Sequence, residues 1–171
     1  MTLHDAIVGR KFSRVKYLLE TKKIDVNTPD RNTSAVRFSR SPLQLAVFRD
    51  DSVEMKMIRL ILKHKPDLGY TSSSGKTALM LAAILAHTQA ITLLLEAKAD
   101  IDQEVPEGFG QFGEQGMTAL MFAAQADNEK TTLALLAAGA SIRNGRGNTV
   151  FEYAKAEIAL RIEEQLRICQ T

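Results

Sequence analysis

The feature that most constrains how this chain folds is a seven-residue motif that it carries twice. Thr-Ala-Leu-Met-Leu-Ala-Ala runs from Thr77 to Ala83, and Thr-Ala-Leu-Met-Phe-Ala-Ala runs from Thr118 to Ala124. A weaker copy begins at Ser41 and a degenerate one at Thr149, so that successive starts lie 36, 41 and 31 residues apart. Self-similarity at periods of about 20 to 50 residues is typical of stacked repeats that bury their apolar faces against one another. The sequence therefore predicts one continuous array.

The composition favours a folded soluble protein in a reducing compartment. The chain has 171 residues, of which 45% are hydrophobic. Its single cysteine, Cys169, excludes an intrachain disulfide and a cysteine-based zinc site. The amino terminus lacks a secretory pattern because His4 and Asp5 interrupt its first apolar residues. We expect a cytoplasmic monomer, with delivery into a host cell as an alternative.

One segment has the length and apolar character of a membrane helix. From Thr77 to Leu95 there are 19 residues without Asp, Glu, Lys or Arg, and about 20 apolar residues span a bilayer. Polar residues at His87 to Gln89 interrupt this segment, and charged residues occupy the same place in the sister segment, at Asp127 to Lys130. This pattern predicts a turn between two short helices, with no association with a membrane.

Charge is unevenly distributed along the chain. Residues 1–69 contain 14 Lys and Arg against 8 Asp and Glu, whereas residues 70–171 contain 8 against 12. Such an asymmetry can steer a charged partner, and an uneven solvated surface is the alternative. No nucleic-acid-binding motif accompanies the basic half, so a nucleic acid is not expected as the partner.

The repeated motifs resemble the Thr-Pro-Leu-His-x-Ala signature of ankyrin repeats. The segment that ends at Asn27 also resembles the family's Leu-Leu-x-x-Gly-Ala-Asp-Val-Asn ending, although it is one residue longer. The resemblance implies an all-α solenoid of stacked helix-turn-helix pairs with protruding hairpin-like turns. It implies a non-catalytic module that binds another protein through a concave face of turns and first helices. One domain, 1–171, would contain units at about 1–40, 41–76, 77–117, 118–148 and 149–171.

Two departures from the family pattern carry structural expectations. The signature histidine, which by resemblance orders the turn through hydrogen bonds, is replaced by Gln44, Met80 and Met121, and only His4 fits. We therefore expect apolar packing to replace part of a polar network and the array to be less rigid. Glycine follows the second helix only in the fourth unit, at Gly139. Because glycine accepts the left-handed conformation of helix ends, the end of the first unit, which lacks glycine and is one residue longer, should be looser or differently shaped.

Two connections are longer than the family's turn. Thr28 to Arg40 carries three arginines around a phenylalanine, and it is either a partner contact or a disordered insertion. Gln103 to Gly116 contains four glycines and one proline, which exclude a helix, so that Phe109 and Phe112 have no regular face to occupy. Long structureless loops are often functional. These aromatic residues either anchor a partner or fold back onto the solenoid.

Apolar residues also occupy the ends of the first helices, where ankyrin repeats are usually polar and variable. They mark an interaction site or fill the groove floor beneath the long turns. The predicted partner-binding residues are Arg37, Phe38, Arg40, Phe48, Tyr70, Ile84, Leu85, Phe109 and Phe112.

The sequence gives no sign of catalytic, metal or cofactor chemistry. His4, His64 and His87 lie in different units without carboxylate or cysteine companions at ligand spacing, and we expect them to be solvent-exposed polar groups. Ser74 to Thr77 resembles the end of a phosphate-binding loop, but Tyr70 stands where that motif needs a glycine. No enzymatic activity and no cofactor are expected.

Two other functions are compatible with the repeats. The chain could be an effector or inhibitor that blocks a host or partner enzyme, as some ankyrin proteins of intracellular bacteria do. It could also be a substrate, because Asn27 follows Asp25 and Val26 as in sites of asparagine hydroxylation in this family.

Overall fold

The chain folds into short helices that are arranged in consecutive pairs. A computed structural model describes residues 2–28, 40–48, 52–110 and 113–168. Within these ranges the regular structure is helical and contains no β-strand. The helices are α1 (Leu3–Val8), α2 (Phe12–Lys16) with a π-helical turn (Tyr17–Thr21), α3 (Pro42–Ala46), α4 (Ser52–Lys63), α5 (Ala78–Ile84), α6 (Thr88–Glu96), α7 (Ala119–Gln125), α8 (Glu129–Ala137), a 3-10 turn (Val150–Glu152) and α9 (Ala156–Ile168).

The pairs stack into two layers. The first layer contains the first helices of the pairs: α1 packs on α3, α3 packs on α5, α5 packs on α7, and α7 packs on the 3-10 turn. The second layer contains α2, α4, α6, α8 and α9, and each of these helices packs on the next. This arrangement confirms the predicted all-α solenoid of helix-turn-helix pairs. The apolar segment 77–95 is divided between α5 and α6, as the polar residues at its centre predict. In the described part of the chain, no helix combines the length and apolar character needed to cross a bilayer.

Small side chains make the contact between α5 and α7 close. Ala82 and Ala83 on α5 and Ala123 and Ala124 on α7 are completely buried, among larger residues such as Leu79. Because interiors pack as densely as organic crystals, alanines at a helix contact bring the two backbones together. The repeated Leu-x-x-Ala-Ala spacing is therefore the element of sequence that sets the distance between units.

A hydroxyl group caps the first helix of each of the first four units. The side chains of Thr2, Ser41, Thr77 and Thr118 accept hydrogen bonds from the backbone N–H groups three residues later. Each such cap stabilises a helix by about 1 kcal/mol. The helices are only five to seven residues long, so capping and stacking must replace the stability that length would give.

The second unit retains a polar network at the signature position. Gln44 is buried, and its Nε2 donates to the carbonyl oxygens of Tyr70, at 3.0 Å, and Lys76, at 2.9 Å. The expected replacement by apolar packing is therefore wrong for Gln44, because a glutamine amide has two N–H donors and the length to reach both carbonyls. Met80 and Met121 are buried in the core.

Lysines occupy the left-handed position at the ends of the second helices of the first three units, where the fourth unit has glycine. Lys23, Lys65 and Lys98 have φ values of 50°, 52° and 73°, beside 92° for Gly139. After α6, the Ala99 N–H bonds to the Leu94 carbonyl over 2.9 Å, and after α8 the Ala140 N–H bonds to the Leu135 carbonyl over 3.0 Å. The end of α6 is therefore closed by the same bond as that of α8, although lysine stands there in place of glycine.

The first unit does end differently. Its second helix contains the extra residue that separates it from the family pattern, and the backbone accommodates this residue as the π-helical turn Tyr17–Thr21. The closing bond consequently spans one more residue, from the Ile24 N–H to the Leu18 carbonyl over 3.2 Å. Single π-helical turns of this kind typically arise where one residue is inserted into a helix.

The turns inside three units also place side chains in the left-handed conformation. Arg10, Ala86 and Asp127 have φ values of 56°, 60° and 62°. Gly9, which the sequence marks as a turn residue, has a φ of −77°. A residue with a Cβ in this conformation is strained by about 1 to 2 kcal/mol.

Replacing Ala86 by glycine should therefore stabilise the protein. We expect Ala86→Gly to raise the free energy of unfolding by about 0.5 to 1 kcal/mol, since part of the relieved strain is offset by the greater freedom of glycine in the unfolded chain. Urea denaturation measures this change. Ala126→Gly is the matched control, because Ala126 is the neighbouring residue of an equivalent turn and has a φ of −77°. Equal losses of stability in both variants would contradict the prediction.

Acid should weaken the two terminal units first. Hydrogen bonds from Thr2 hold the pKa of Asp5 below its usual value, and those from Asn148 and Thr149 do the same for Glu152. A carboxyl group whose pKa is lowered in the folded state stabilises the fold at pH values above its usual pKa. This stabilisation is lost as the pH falls through the lowered pKa. Below about pH 4, NMR shifts of residues 3–8 and 150–152 should move toward unfolded values before those of α5 and α7. The variant Asp5→Asn should remove this pH dependence in α1. Simultaneous unfolding of all units as the pH falls would contradict the prediction.

Candidate protein-binding surface

Three connections between units return as hairpins. A backbone hydrogen bond closes each hairpin. The Ser72 N–H donates to the Lys76 carbonyl over 3.0 Å, the Val105 N–H to the Met117 carbonyl over 3.1 Å, and the Asn144 N–H to the Asn148 carbonyl over 3.1 Å. We call them the first hairpin (72–76), the second hairpin (105–117) and the third hairpin (144–148). Because the units stack in order, the second hairpin, which is the longest, has a neighbour on each side.

A buried ion pair joins the second hairpin to the first. Lys76 Nζ lies 2.5 Å from Glu114 Oε2, and the two side chains are only 11% and 19% exposed. The same ammonium group lies 5.2 Å from the centroid of the Phe122 ring, on α7. Because burial limits screening by solvent, this pair holds the loop more firmly than an exposed pair would.

Gly75 provides the surface on which the loop rests. A Cβ at Gly75 would lie 2.5 Å from the Cβ of Phe109 and 2.9 Å from Cγ1 of Val105, and the residue has a φ of 73°. Only glycine combines that conformation with so close an approach. The Ser-Gly-Lys-Thr segment that resembles a phosphate-binding loop therefore supports the second hairpin, through Gly75 and Lys76.

The third hairpin holds the opposite side of the loop. The Asn144 Nδ2 donates to the Gly116 carbonyl over 2.7 Å, while its Oδ1 accepts from the N–H groups of Arg146 and Asn148. Arg146 also pairs with Glu107 at 2.9 Å, and the Gly145 N–H donates to the Glu104 carboxylate. All three glutamates of the connection 103–116 are thus bonded to a neighbouring hairpin.

Phe109 is partly seated and partly exposed. Its Cβ packs against Gly75, and 42% of the residue remains accessible to solvent. The structure therefore combines the two alternatives for this residue: the base of the side chain folds back onto the array, and the rest faces solvent. Phe112 lies outside the described residues, as do Arg37 and Phe38 of the earlier long connection.

Arg40 and Phe48 form a second aromatic group. The guanidinium carbon of Arg40 lies 3.9 Å from the centroid of the Phe48 ring. Burial lowers the pKa of Arg40 from its usual value, but the group remains charged at physiological pH because arginine titrates far above it. Cation–π contacts of this kind contribute about 0.5 to 2 kcal/mol.

Phe48 and Ile84 belong to a row of equivalent positions that includes one residue the sequence analysis missed. Val8 and Ile84 are the last residues of α1 and α5, and each precedes the left-handed residue of its turn by two positions. Phe48 follows α3 by two residues. Val8 is 64% exposed, whereas Phe48 and Ile84 are half-buried. We call Val8, Phe48 and Ile84 the apolar row. Val8 could have been predicted as its first member, because Leu3-His4-Asp5-Ala6 matches the repeat signature and so places Val8 at the end of the first helix.

The remaining predicted contacts flank these groups. Leu85 is half-buried at the end of α5, next to the apolar row. Tyr70 is half-buried just before the first hairpin, where its carbonyl accepts from Gln44. The preceding carbonyl, of Gly69, accepts from Gln103 Nε2 over 3.0 Å. The base of the first hairpin is therefore bonded both to α3 and to the approach to the second hairpin.

Two of the histidines are structural, contrary to the expectation that they are exposed polar groups. His4 is buried in α1. His87 Nδ1 lies 2.7 Å from the Val47 carbonyl, which can only accept, so this nitrogen carries the proton. Asn128, at the same position of the next unit, donates from its Nδ2 to the Ile84 carbonyl, at 3.4 Å. These bonds fix the helix ends that bear the apolar row.

Asn27 bonds the first two units together. Its side chain is exposed, and its Oδ1 accepts from the Asp67 N–H over 2.7 Å. Asp102 accepts from the Ser141 N–H over 2.8 Å at the equivalent place between the third and fourth units. The candidate for modification is thus part of a repeated bond between units.

Family models account for most of the sequence. A model of ankyrin repeats in three copies matches residues 3–105, and a model of a single ankyrin repeat matches residues 115–148. The interval between the two matches contains Phe109 and most of the second hairpin, so this loop is an addition to the common repeat. Ankyrin repeats are generally protein-protein interaction modules with a non-catalytic fold. With its stacked helix pairs, its hairpins and these matches, the chain belongs to the ankyrin repeat family.

Proposed function

We propose that this ankyrin repeat protein binds another protein through its hairpins and the ends of its first helices. The observation that carries the proposal is the second hairpin, which lies largely outside the family match and is bonded on both sides. A long loop that is held in place and displays an aromatic ring has the properties of a binding element.

The contacts around the loop also favour binding energetically. Ordering a flexible loop during association opposes binding by about 0.5 to 1.5 kcal/mol for each side chain that becomes fixed. Bonds from Lys76, Asn144 and Arg146 order this loop beforehand. The exposed part of Phe109 can therefore contribute its apolar area to a partner with little further loss of freedom, and aromatic anchors of this kind dominate many interfaces.

The other predicted contacts extend this surface toward the amino terminus. They are Arg37, Phe38, Arg40, Phe48, Tyr70, Ile84, Leu85 and Phe112. We propose that they act within one domain of five units, in a cytoplasmic monomer, and that the partner is a protein rather than a nucleic acid or a membrane. An inhibitor of a partner enzyme would use the same surface.

Modification of Asn27 is a second proposal, favoured by the exposure of its side chain. A hydroxyl group added to its Cβ would leave the amide oxygen free to keep its bond with Asp67. Modification and folding are therefore compatible at this residue. Intact-mass measurement after incubation with an asparagine hydroxylase tests this idea, and an unchanged mass would contradict it.

Removing the Phe109 ring should weaken binding without unfolding the chain. The purified protein is used to capture partners from a lysate, each captured protein is identified by mass spectrometry, and its affinity is then measured by calorimetry. We expect Phe109→Ala to weaken binding by about tenfold or more, as for an aromatic anchor, with an unchanged melting temperature. Leu160→Ala is the control, because Leu160 is a large apolar residue of α9 that is 62% exposed.

Equal affinities of wild type and Phe109→Ala for every captured partner would remove the second hairpin from the binding surface. A parallel loss of affinity in Leu160→Ala would show instead that the effect comes from general exposure of apolar residues.

A further inference from the structure

The apolar row stops abruptly after the third unit. Val8, Phe48 and Ile84 hold the equivalent position in the first three units, and the exposed Gln125 ends α7 in the fourth. The fourth unit is therefore polar at the position where the first three are apolar. A ligand that explains the row therefore lies across units one to three.

The spacing of the row discriminates between kinds of ligand. Packed helices have axes about 8 to 10 Å apart, and α1, α3 and α5 pack consecutively, so neighbouring members of the row are separated by about that distance. Seven residues of an α-helix advance about 10.5 Å and return to nearly the same face. Three residues of a strand also advance about 10 Å, but they point to opposite faces. A helix can therefore contact all three positions with one stripe, and a strand cannot.

Basic side chains lie beside two members of the row, Val8 and Phe48. Arg10 and the exposed Lys11 follow Val8 in the turn after α1, and Arg40 lies over the ring of Phe48. At the equivalent turn of the fourth unit an acid, Asp127, appears and pairs with Lys155 at 2.6 Å. The fourth unit, where the row has ended, thus carries an acid in its turn. Opposite charge on a partner would favour encounter and fix its direction.

We infer that the apolar row binds an amphipathic α-helix of a partner protein, with apolar residues at every seventh position and Asp or Glu on its flanks. This inference rests on the proposed function and specifies the partner for its amino-terminal half. Three members of the row correspond to two spacings of about 10 Å, so the bound segment is about four turns long.

Synthetic helices test the inference directly. The probe is a labelled 21-residue peptide, designed with Leu at every seventh position and Glu on both sides of that stripe. One twin has Lys in place of Glu, and another has the same composition with its Leu residues distributed around the helix. Fluorescence anisotropy should show that the acidic probe binds about tenfold more tightly than either twin, and that added salt weakens this binding.

A variant taken from the protein's own repeat locates the site. Ile84→Gln gives the third unit the residue that the fourth unit carries at Gln125, so the helix has a precedent for it. We expect this variant to bind the acidic probe about tenfold less tightly than wild type, since a large apolar contact is lost. Leu160→Gln, an equivalent change on α9, should leave the affinity unaltered.

Several outcomes would overturn the inference. The inference fails if the Lys twin or the twin with distributed Leu residues binds as tightly as the acidic probe, or if Ile84→Gln has no effect on binding of that probe. It also fails if the wild type self-associates and Ile84→Gln abolishes this association, because a second copy of the chain would then occupy the row. The proposed function is tested separately. If a captured partner loses affinity with Phe109→Ala and keeps it with Ile84→Gln, the proposed function stands and the assignment of the row fails.

Discussion

Burial of each helix pair against the next is the interaction on which the rest of this structure depends. Helices of five to seven residues are too short to persist alone in water. Completely buried alanines on α5 and α7 let one pair lie directly on another. Because the pairs then repeat at short and regular distances, every hairpin has neighbours and every first-helix end has counterparts. The candidate binding groups follow from that regularity.

The second hairpin shows how a stacked array can hold a long loop. An insertion between two isolated helices would have no partner, but here the preceding unit supplies Lys76 and the following one supplies Asn144 and Arg146. The glutamates that make the loop acidic are bonded to these neighbours rather than left for solvent. The apolar row depends on the same stacking, since bonds such as that from His87 to the Val47 carbonyl fix the helix ends that bear it.

Local patterns predicted the helices and the turns between them, because apolar spacing and turn-forming residues are written in consecutive residues. The contacts that build the surface were not predictable in this way. Gln44 reaches carbonyls 26 and 32 residues away, and Lys76 pairs with a carboxylate 38 residues away. Such pairs depend on which hairpins become neighbours. The lysines at the ends of the second helices were also missed, since stacking imposes a conformation that their own preference opposes.

The central claim is that the second hairpin is formed before any partner binds, and hydrogen exchange of the free protein tests it most directly. The Val105 and Gly116 amides bond across the base of this hairpin. Both should be protected in wild type, and Glu114→Gln should lower their protection while amides of α8 stay unchanged. Exchange of both amides at the rate of an unstructured chain in wild type would contradict the claim.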